Sequence, residues 1–166
     1  MLTTTHNEGA VRILRFNRPE ALNAFSDAMF DAVAEDLLAA AEDDSVKVLI
    51  ITGEGRAFSA GMDLSDRPGK GSQPVHGFAG MFEAFIEFPK PILLAINGLG
   101  VGFGCTITGL ADLVFMAESA KLRCPFTALG LTAEAASTVT FPAMMGPQNA
   151  NWVLLSSEWL DAHTCK

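Results

Sequence analysis

Charged residues are scarce in this chain of 166 amino acids. The sequence also lacks the features typical of membrane-spanning and secreted proteins. Charged side chains make up 18% of the residues and hydrophobic ones 49%, whereas charged residues usually reach about a quarter. No apolar run approaches the ~20 residues of a membrane-spanning helix. The N-terminus lacks the charged and apolar regions of a secretory signal. The length suits one domain with a real core, and the composition indicates extensive burial, partner subunits, or both.

The charge balance and the cysteines restrict the partners. The formal net charge is −8, which argues against a nucleic-acid surface and against attraction to anionic lipid. The negative net charge does not exclude an anionic ligand, because a few local Lys or Arg side chains can bind one. Cys105, Cys124 and Cys165 have no CxxC spacing, and an odd number without a secretory signal suits a reducing compartment. We therefore expect a cytoplasmic protein that binds neither nucleic acid nor membranes.

Several catalytic motifs are also missing. The three histidines are scattered, and no Cys/His/Asp spacing resembles a metal site. The chain has no G-x-S-x-G elbow and no G-x-x-x-x-G-K-[ST] phosphate loop. Glycines at 98, 100, 102 and 104 alternate with larger residues, but none begins a complete G-x-G-x-x-G fingerprint. Nucleotide, metal and serine-hydrolase sites are therefore not predicted.

Two glycine-bearing segments about forty residues apart are the most informative feature. They read AFSAGMDL at 57–64 and NGLGVGFGC at 97–105, and each comes after a strand-like apolar run. Small residues there let a ligand approach the backbone and leave peptide N–H groups free to point at it. Two such groups converging on one carbonyl oxygen would form an oxyanion hole, which suits chemistry through an enolate. Taken alone, the glycines at 98–104 fit a tight strand-to-helix turn with close packing better than a ligand site, and the pairing with AFSAGMDL favours the functional interpretation.

Strand-like and helical patterns alternate along the chain. A strongly polar, Gly- and Pro-containing segment at 65–74 predicts a loop. Ser26 or Asp27 is a suitable cap for the first helix, and Phe78, Phe82, Phe85 and Ile86 give the second one apolar face. Strands are predicted at 10–17, 46–53, 90–98, 112–118 and 121–126, and helices at 27–42, 75–88, 105–111 and 147–156. This alternation favours an α/β architecture.

Glu134 is the only carboxylate between Glu118 and Glu158, and its neighbours are small or apolar. A carboxylate with few solvating partners has a pKa above the ~4.3 reference, as a general base near neutral pH requires. The alternative is an acid that interacts with the start of a helix. The residues by themselves leave both interpretations open.

Three ordered motifs together resemble the enoyl-CoA hydratase/isomerase (crotonase) superfamily. RPEALNAF at 18–25 is similar to its R-P-x-x-x-N-A-[LF] motif, and AFSAGMDL to its [AC]-F-[SC]-A-G-x-D-[LI] segment. The stretch from Asn97 to Leu131 resembles its second oxyanion segment and the region immediately C-terminal to that segment. The resemblance runs from about residue 10 to about residue 160. It implies a spiral of ββα units and a CoA-thioester enzyme, usually a trimer or a dimer of trimers.

The resemblance assigns roles to individual residues. The oxyanion donors would be the backbone N–H groups of Met62 and Phe103. The residues implied to bind CoA fall on the first motif, where they would lie beside the adenine–pantetheine path, and on the two oxyanion segments: Glu20, Ala21, Leu22, Ser59, Ala60, Gly61, Met62, Asp63, Gly102 and Phe103. Coenzyme A would be part of the substrate, and neither a metal ion nor a redox cofactor is expected.

The catalytic acids divide the superfamily. At the two positions where the hydratase branch has glutamates, this chain has Thr106 and Phe126. The Δ3,Δ2-enoyl-CoA isomerase branch uses one glutamate in L-G-x-x-x-E-G, which Glu134 matches, with Ala135 in place of the glycine. The implied reaction is isomerisation of a 3-enoyl-CoA to a trans-2-enoyl-CoA. The alternatives are an enoyl-CoA hydratase or another CoA-thioester reaction, and a non-catalytic CoA-binding or oligomerisation module.

Members of this superfamily continue beyond the point that matches the last residues here. We therefore expect residues 1–166 to form a single core domain without the C-terminal helices. Apolar residues of the helix at 147–156 should then be poorly covered, namely Trp152, Val153, Leu154 and Leu155. A homotrimer or hexamer is expected.

Overall fold

A computed structural model describes residues 1–65 and 73–166. These residues form nine strands and five helices, with short 3₁₀ turns at Pro19–Ala21, Ile107–Leu110 and Thr127–Leu129. The strands are β1 (Thr3–Glu8), β2 (Val11–Phe16), β3 (Val48–Gly53), β4 (Ala57–Ser59), β5 (Ile92–Ile96), β6 (Leu99–Val101), β7 (Leu113–Met116), β8 (Lys121–Arg123) and β9 (Leu160–Asp161). The helices are α1 (Asp27–Glu42), α2 (Gly77–Ile86), α3 (Phe103–Thr106), α4 (Ser137–Met145) and α5 (Pro147–Leu155). Most of the loop predicted at 65–74 lies outside the described residues.

The larger of two sheets has the strand order β1-β2-β3-β5-β7. β1 and β2 form an antiparallel hairpin, and the other neighbours are parallel. β3 and β5 are apolar along nearly their whole length, as expected of parallel strands covered by other elements. The sheet therefore supplies a rigid base for the turns at the ends of its strands.

The smaller sheet has the order β4-β6-β8-β9, and three of its short strands each come directly after an inner or edge strand of the larger sheet. β3 leads into β4 and then α2, β5 into β6 and then α3, and β7 into β8. The chain thus repeats a ββ unit in which one strand joins each sheet, with a helix after the first two. This is an α/β crotonase-like spiral of ββα units, as the sequence resemblance implied.

Helix α1 shows how the local sequence fixes an element. The Ser26 hydroxyl accepts a hydrogen bond from the Met29 N–H at 3.2 Å, so the predicted N-cap is confirmed. Its apolar stripe, including Phe30, Val33 and Leu37, is buried against the core. At the other end Lys90 donates to the carbonyls of Ala40 and Asp43, both at 2.7 Å, which satisfies acceptors that a helix end leaves free.

The predicted strands and helices have counterparts, with some differences at the ends. The helix predicted at 75–88 spans Gly77–Ile86, and the short buried helix predicted at 105–111 is α3 together with a 3₁₀ turn. Strands β1, β4, β6 and β9 and helix α4 were not predicted. The placement of Ile86 on the buried face was wrong: it is 61% exposed, while Met81 is fully buried. No helix among the described residues is long and apolar enough to cross a membrane.

Candidate active site

The two glycine-bearing turns meet because β4 and β6 are parallel neighbours, with Ala57 opposite Leu99 and Ser59 opposite Gly100. The carboxyl ends of adjacent parallel strands lie at one edge of a sheet, so the segments after them come together. Gly61 has φ +81°, and a Cβ added there would lie 3.4 Å from the Phe103 nitrogen and 2.5 Å from the Val101 oxygen. Only glycine allows this close approach.

Both predicted donor groups are free in the described part of the chain. Neither the Met62 N–H nor the Phe103 N–H has a hydrogen-bond acceptor there. Phe103 is the first residue of α3, and the first N–H groups of a helix have no partner within it. The Met62 side chain is exposed, whereas Phe103 is buried. The two peptide groups can therefore act as donors to a ligand.

Hydrogen bonds from the first sequence motif, at 18–25, support the turn that carries the Met62 N–H. Asn23 is fully buried, and its amide donates to the carbonyls of Glu54 at 2.9 Å and Ala57 at 2.8 Å. The Ser59 hydroxyl donates to the Asn23 carbonyl at 2.9 Å and accepts the Gly61 N–H at 3.0 Å. The motif thus fixes the backbone that carries the first donor.

Arg18 and Asp63 form an ion pair at 3.1 Å beside Met62. Arg18 also donates to the Ala24 carbonyl at 2.6 Å. The pKa of the Asp63 carboxyl lies below its usual value, chiefly because the Ser65 hydroxyl donates to it, and the Arg18 guanidinium adds to the effect. The residue after the first donor is therefore held in place by a charged partner.

The residues assigned to the CoA path occupy the turn before α1 and the segment after β4. Glu20 is exposed on a 3₁₀ turn, with Ala21 half-buried beside it. Leu22 is left-handed, and its carbonyl accepts the Ala60 N–H at 2.9 Å. The two segments are thus adjacent. Ser59 is fully buried, so its hydroxyl serves the turn itself.

Glu134 contacts α3, the helix that begins with the second proposed donor, Phe103. Its Oε1 accepts a hydrogen bond from the Thr106 hydroxyl at 2.5 Å, and Thr106 is the last residue of α3. Its Oε2 is buried and has no hydrogen-bond partner among the described residues. Burial raises the pKa of the Glu134 carboxyl, and the hydrogen bond from Thr106 opposes part of that rise. A carboxylate in this state accepts a proton more readily than an exposed one.

The backbone at Glu134 is unusual. Ala135 and Ala136 both have positive φ, at 51° and 54°, a region that L-residues rarely adopt. The Glu134 carbonyl accepts the Ser137 hydroxyl at 2.6 Å and the Ser137 N–H at 3.0 Å, at the start of α4. Ala135 stands where the resemblance has glycine, which adopts this conformation without a steric penalty.

The sequence positions that separate the two branches of the superfamily meet in space. Thr106 occupies the position of one hydratase glutamate, and its side chain contacts Glu134, 28 positions further along the chain. Phe126, at the other hydratase position, is buried. Of the three positions that carry catalytic acids in one branch or the other, only the isomerase position therefore has a carboxylate here, that of Glu134.

A large cavity lies elsewhere in the described part of the chain. It has a volume of about 1170 Å³ and is lined among others by Cys105, Phe115, Phe141 and Trp152. Its described lining includes neither Glu134 nor the two donor residues. The described residues also contain no group of three or more His, Cys, Asp or Glu side chains that could hold a metal ion.

A family model for enoyl-CoA hydratase/isomerase matches residues 6–165. The chain belongs to that family. It is 34% identical to enoyl-CoA delta isomerase 2 of Homo sapiens, over 97% of this chain and 42% of that protein. It is 35% identical to 1,2-epoxyphenylacetyl-CoA isomerase of Escherichia coli, over 95% of this chain and 63% of that one.

Solved structures of the family superpose closely on the chain. An enoyl-CoA hydratase from Mycobacterium marinum is 48% identical with a TM-score of 0.94, and the match covers 99% of this chain and 79% of that one. Relatives are thus named both hydratase and isomerase. The chain spans less than two thirds of the curated relatives cited above.

Two relationships were not predicted from the sequence. Nothing in the spacing indicated that Thr106 contacts Glu134, because the two residues lie 28 positions apart and meet through packing rather than through a local pattern. The hydrogen bonds of Asn23 that support the segment of the first donor were also not anticipated. Buried polar residues such as Asn23 are usually hydrogen-bonded, and that is the general indication that could have pointed to it.

Proposed function

We propose that this chain isomerises a 3-enoyl-CoA to a trans-2-enoyl-CoA, with Glu134 as its one acid–base group. The observation that carries the proposal is the buried carboxylate of Glu134 at the second donor turn, with non-acidic residues at both hydratase positions. Hydration requires a water to be activated and a proton to be delivered at the α carbon. Isomerisation requires one group that removes a proton and returns it.

In this reaction the Glu134 carboxylate removes a proton from the α carbon of the thioester. The electron pair of the broken C–H bond moves onto the thioester oxygen and gives a dienolate. The N–H groups of Met62 and Phe103 donate to that oxygen, and losing one such donor typically costs ~3 kcal/mol. The protonated Glu134 then returns the proton to the γ carbon, which moves the double bond into conjugation and leaves Glu134 ionised again.

The proposed partner is an acyl-CoA thioester, and the proposed chemistry uses no metal ion or redox cofactor. The adjacency of Leu22 and Ala60 supports a CoA path along the two turns. We propose assembly as a homotrimer or hexamer, which is supported by apolar side chains left exposed on α5, where Trp152 is 61% and Leu155 60% exposed.

The test is isomerisation of a 3-enoyl-CoA, monitored by the absorbance of the conjugated product. Glu134→Gln should lose roughly 10²- to 10⁴-fold in kcat while still binding the CoA thioester. Glu118→Gln, which changes an exposed carboxylate outside the proposed site residues, is the matched control and should retain activity. Near-parental turnover by the Glu134→Gln variant would exclude this role.

A hydratase is the second candidate, because the Mycobacterium marinum relative carries that name at 48% identity. Crotonyl-CoA hydration should be negligible beside isomerisation. Equal rates of the two reactions would favour the hydratase. Binding of CoA thioesters with neither activity would favour the non-catalytic module.

A further inference from the structure

The side chain of Thr106 holds one oxygen of the proposed base and leaves the other free. Thr106 is fully buried, so its hydroxyl has no bulk water as a partner. It lies 2.5 Å from Oε1 of Glu134 and 3.3 Å from the carbonyl oxygen of Gly102. A threonine hydroxyl has one hydrogen to donate. A carboxylate oxygen is a stronger acceptor than a carbonyl already receiving the N–H groups of Cys105 and Thr106, so the hydrogen points to Glu134.

The two oxygens of Glu134 are therefore unequal. Oε1 is occupied by a short hydrogen bond, whereas Oε2 is buried without a hydrogen-bond partner in the described part of the chain. An unpartnered buried carboxylate oxygen is costly, so such a group needs an explanation. A proton arriving at Oε2 neutralises the carboxylate and so removes the cost of burying its charge.

We propose that Thr106 is a positioning residue that pins Oε1 of Glu134, so that Oε2 alone carries the proton in both steps of the isomerisation. This inference rests on the proposed function. In the first step the α C–H bond breaks and an O–H bond forms at Oε2. In the second that O–H bond breaks and a C–H bond forms at the γ carbon. Because one oxygen serves both carbons, the proton is delivered on the same face from which it was taken.

The proton should also be retained during this transfer. Oε2 is shielded from solvent. The carboxyl group also cannot rotate to exchange its two oxygens while the Thr106 hydroxyl is bonded to Oε1. Exchange with water is then slower than transfer to the γ carbon. A substrate deuterated at the α carbon should yield a product with deuterium at the γ carbon.

The electrostatic surroundings of Glu134 are simple. No charged side chain among the described residues shifts its pKa. The titratable group linked to it is the Cys105 thiol on α3, whose pKa is raised well above its usual value by contact with Cys124 and by burial. That thiol stays neutral at assay pH. A change in the titration of Glu134 on altering Thr106 therefore reports their hydrogen bond.

The experiment compares Thr106→Val, which keeps the shape and removes the hydroxyl, with Thr106→Ser, which restores it. Without substrate, the Glu134 carboxyl is titrated by ¹³C NMR, with Glu134→Gln identifying its signal. Thr106→Val should raise the pKa of Glu134 by about one unit or more, and Thr106→Ser should return it to the parental value. Thr106→Ala replaces the valine variant if that variant does not fold.

With substrate, Thr106→Val should lower kcat about tenfold, shift the acidic limb of the pH profile upward, and leave KM unchanged. More solvent hydrogen should enter the γ carbon of its product than with the parental chain, and Thr106→Ser should reverse this. A valine variant with parental titration and parental label transfer would overturn the inference. If Thr106→Val shifts the titration of Glu134 but no isomerisation depends on Glu134, the proposed function is overturned. The hydrogen bond from Thr106 to Glu134 would still be established.

Discussion

The backbone of Phe25 brackets Met62 on both sides. The Phe25 N–H donates to the Gly61 carbonyl at 2.8 Å, and its carbonyl accepts the Asp63 N–H at 2.9 Å. The ring of Phe25 also packs edge-on against Phe103, with centroids 5.1 Å apart. Phe25 therefore contacts both proposed donor segments. Its peptide groups bond to the residues on either side of Met62, and its ring packs against Phe103.

Phe25→Leu should consequently lower kcat as well as stability. It keeps the backbone bonds but loses the ring contact, at a cost of ~1–3 kcal/mol in the free energy of unfolding. Phe16→Leu is the matched control, since Phe16 packs against Phe25 at 5.0 Å and Phe58 at 5.3 Å. Urea unfolding and isomerase assays should show similar instability in both variants and a kcat loss in the Phe25 variant. Equal kcat values would contradict this role.

Gly61→Ala should disrupt the donor turn. The added Cβ would lie 2.5 Å from the Val101 oxygen in a backbone with φ +81°, so the expected cost is ~3 kcal/mol or more. Gly130→Ala is a control at a similar φ of +68° with no atom within 4 Å, and should cost only ~1 kcal/mol. Thermal unfolding and kcat distinguish them. A Gly61→Ala variant as stable and active as Gly130→Ala would show that the turns do not approach as described.

Ala136→Gly should stabilise the chain by ~0.5–1 kcal/mol. Ala136 is exposed with φ 54°, and relief of the left-handed penalty exceeds the entropy that glycine adds to the unfolded state. Ala135→Gly should gain less, because Ala135 is buried and loses a packed methyl group. Ala143→Gly, in the exposed face of α4, should destabilise by ~1 kcal/mol. The midpoints of urea unfolding should rank the three variants in this order. Destabilisation by Ala136→Gly would contradict backbone strain at Ala136.

Glu134→Gln should make the chain more stable at neutral pH. Burial raises the folded-state pKa of Glu134, so the folded state holds more protons between the unfolded and folded pKa values. Stability therefore falls as pH rises through that window, and the cost persists above it. The advantage of the glutamine should shrink at about pH 3, where the acid is mostly neutral in both states.

Asp36→Asn is the control for this pH dependence. Burial also raises the pKa of Asp36, on α1 away from the donors, so its replacement should stabilise the chain with the same pH trend and leave isomerisation intact. Urea unfolding at both pH values tests the pair. A Glu134→Gln variant that is less stable than the parent at about pH 7 would contradict the assigned burial cost.

The edge strand β7 should drive self-association. Leu113 and Phe115 are 55% and 62% exposed there, next to the cavity that Trp152 also lines. Light scattering should give a mass above that of one chain, and Phe115→Glu should lower it. Leu38→Glu, on the exposed side of α1, should not. A parental chain that remains monomeric and unfolds independently of concentration would exclude this surface as an interface.

The sequence anticipated elements whose periodicity is strong. Helix α1 has the predicted bounds because its cap and its apolar stripe are both local features. β3 and β5 were equally clear as continuous apolar runs. Strand β1, rich in threonine and polar residues, has no such signal and forms because β2 offers it an edge. Helix α4 contains Pro142, which obscured its pattern.

The chain's own residues determined the α/β class, the pair of turns with free peptide groups, and the isolation of Glu134 among small neighbours, because these depend on composition and local spacing. Tertiary structure decided what those features contact. Parallel pairing of β4 and β6 brought the two turns together, and packing of the segment before α4 against α3 placed Thr106 on Glu134. Such contacts depend on the register of strands and the path of loops between them, which no local pattern encodes.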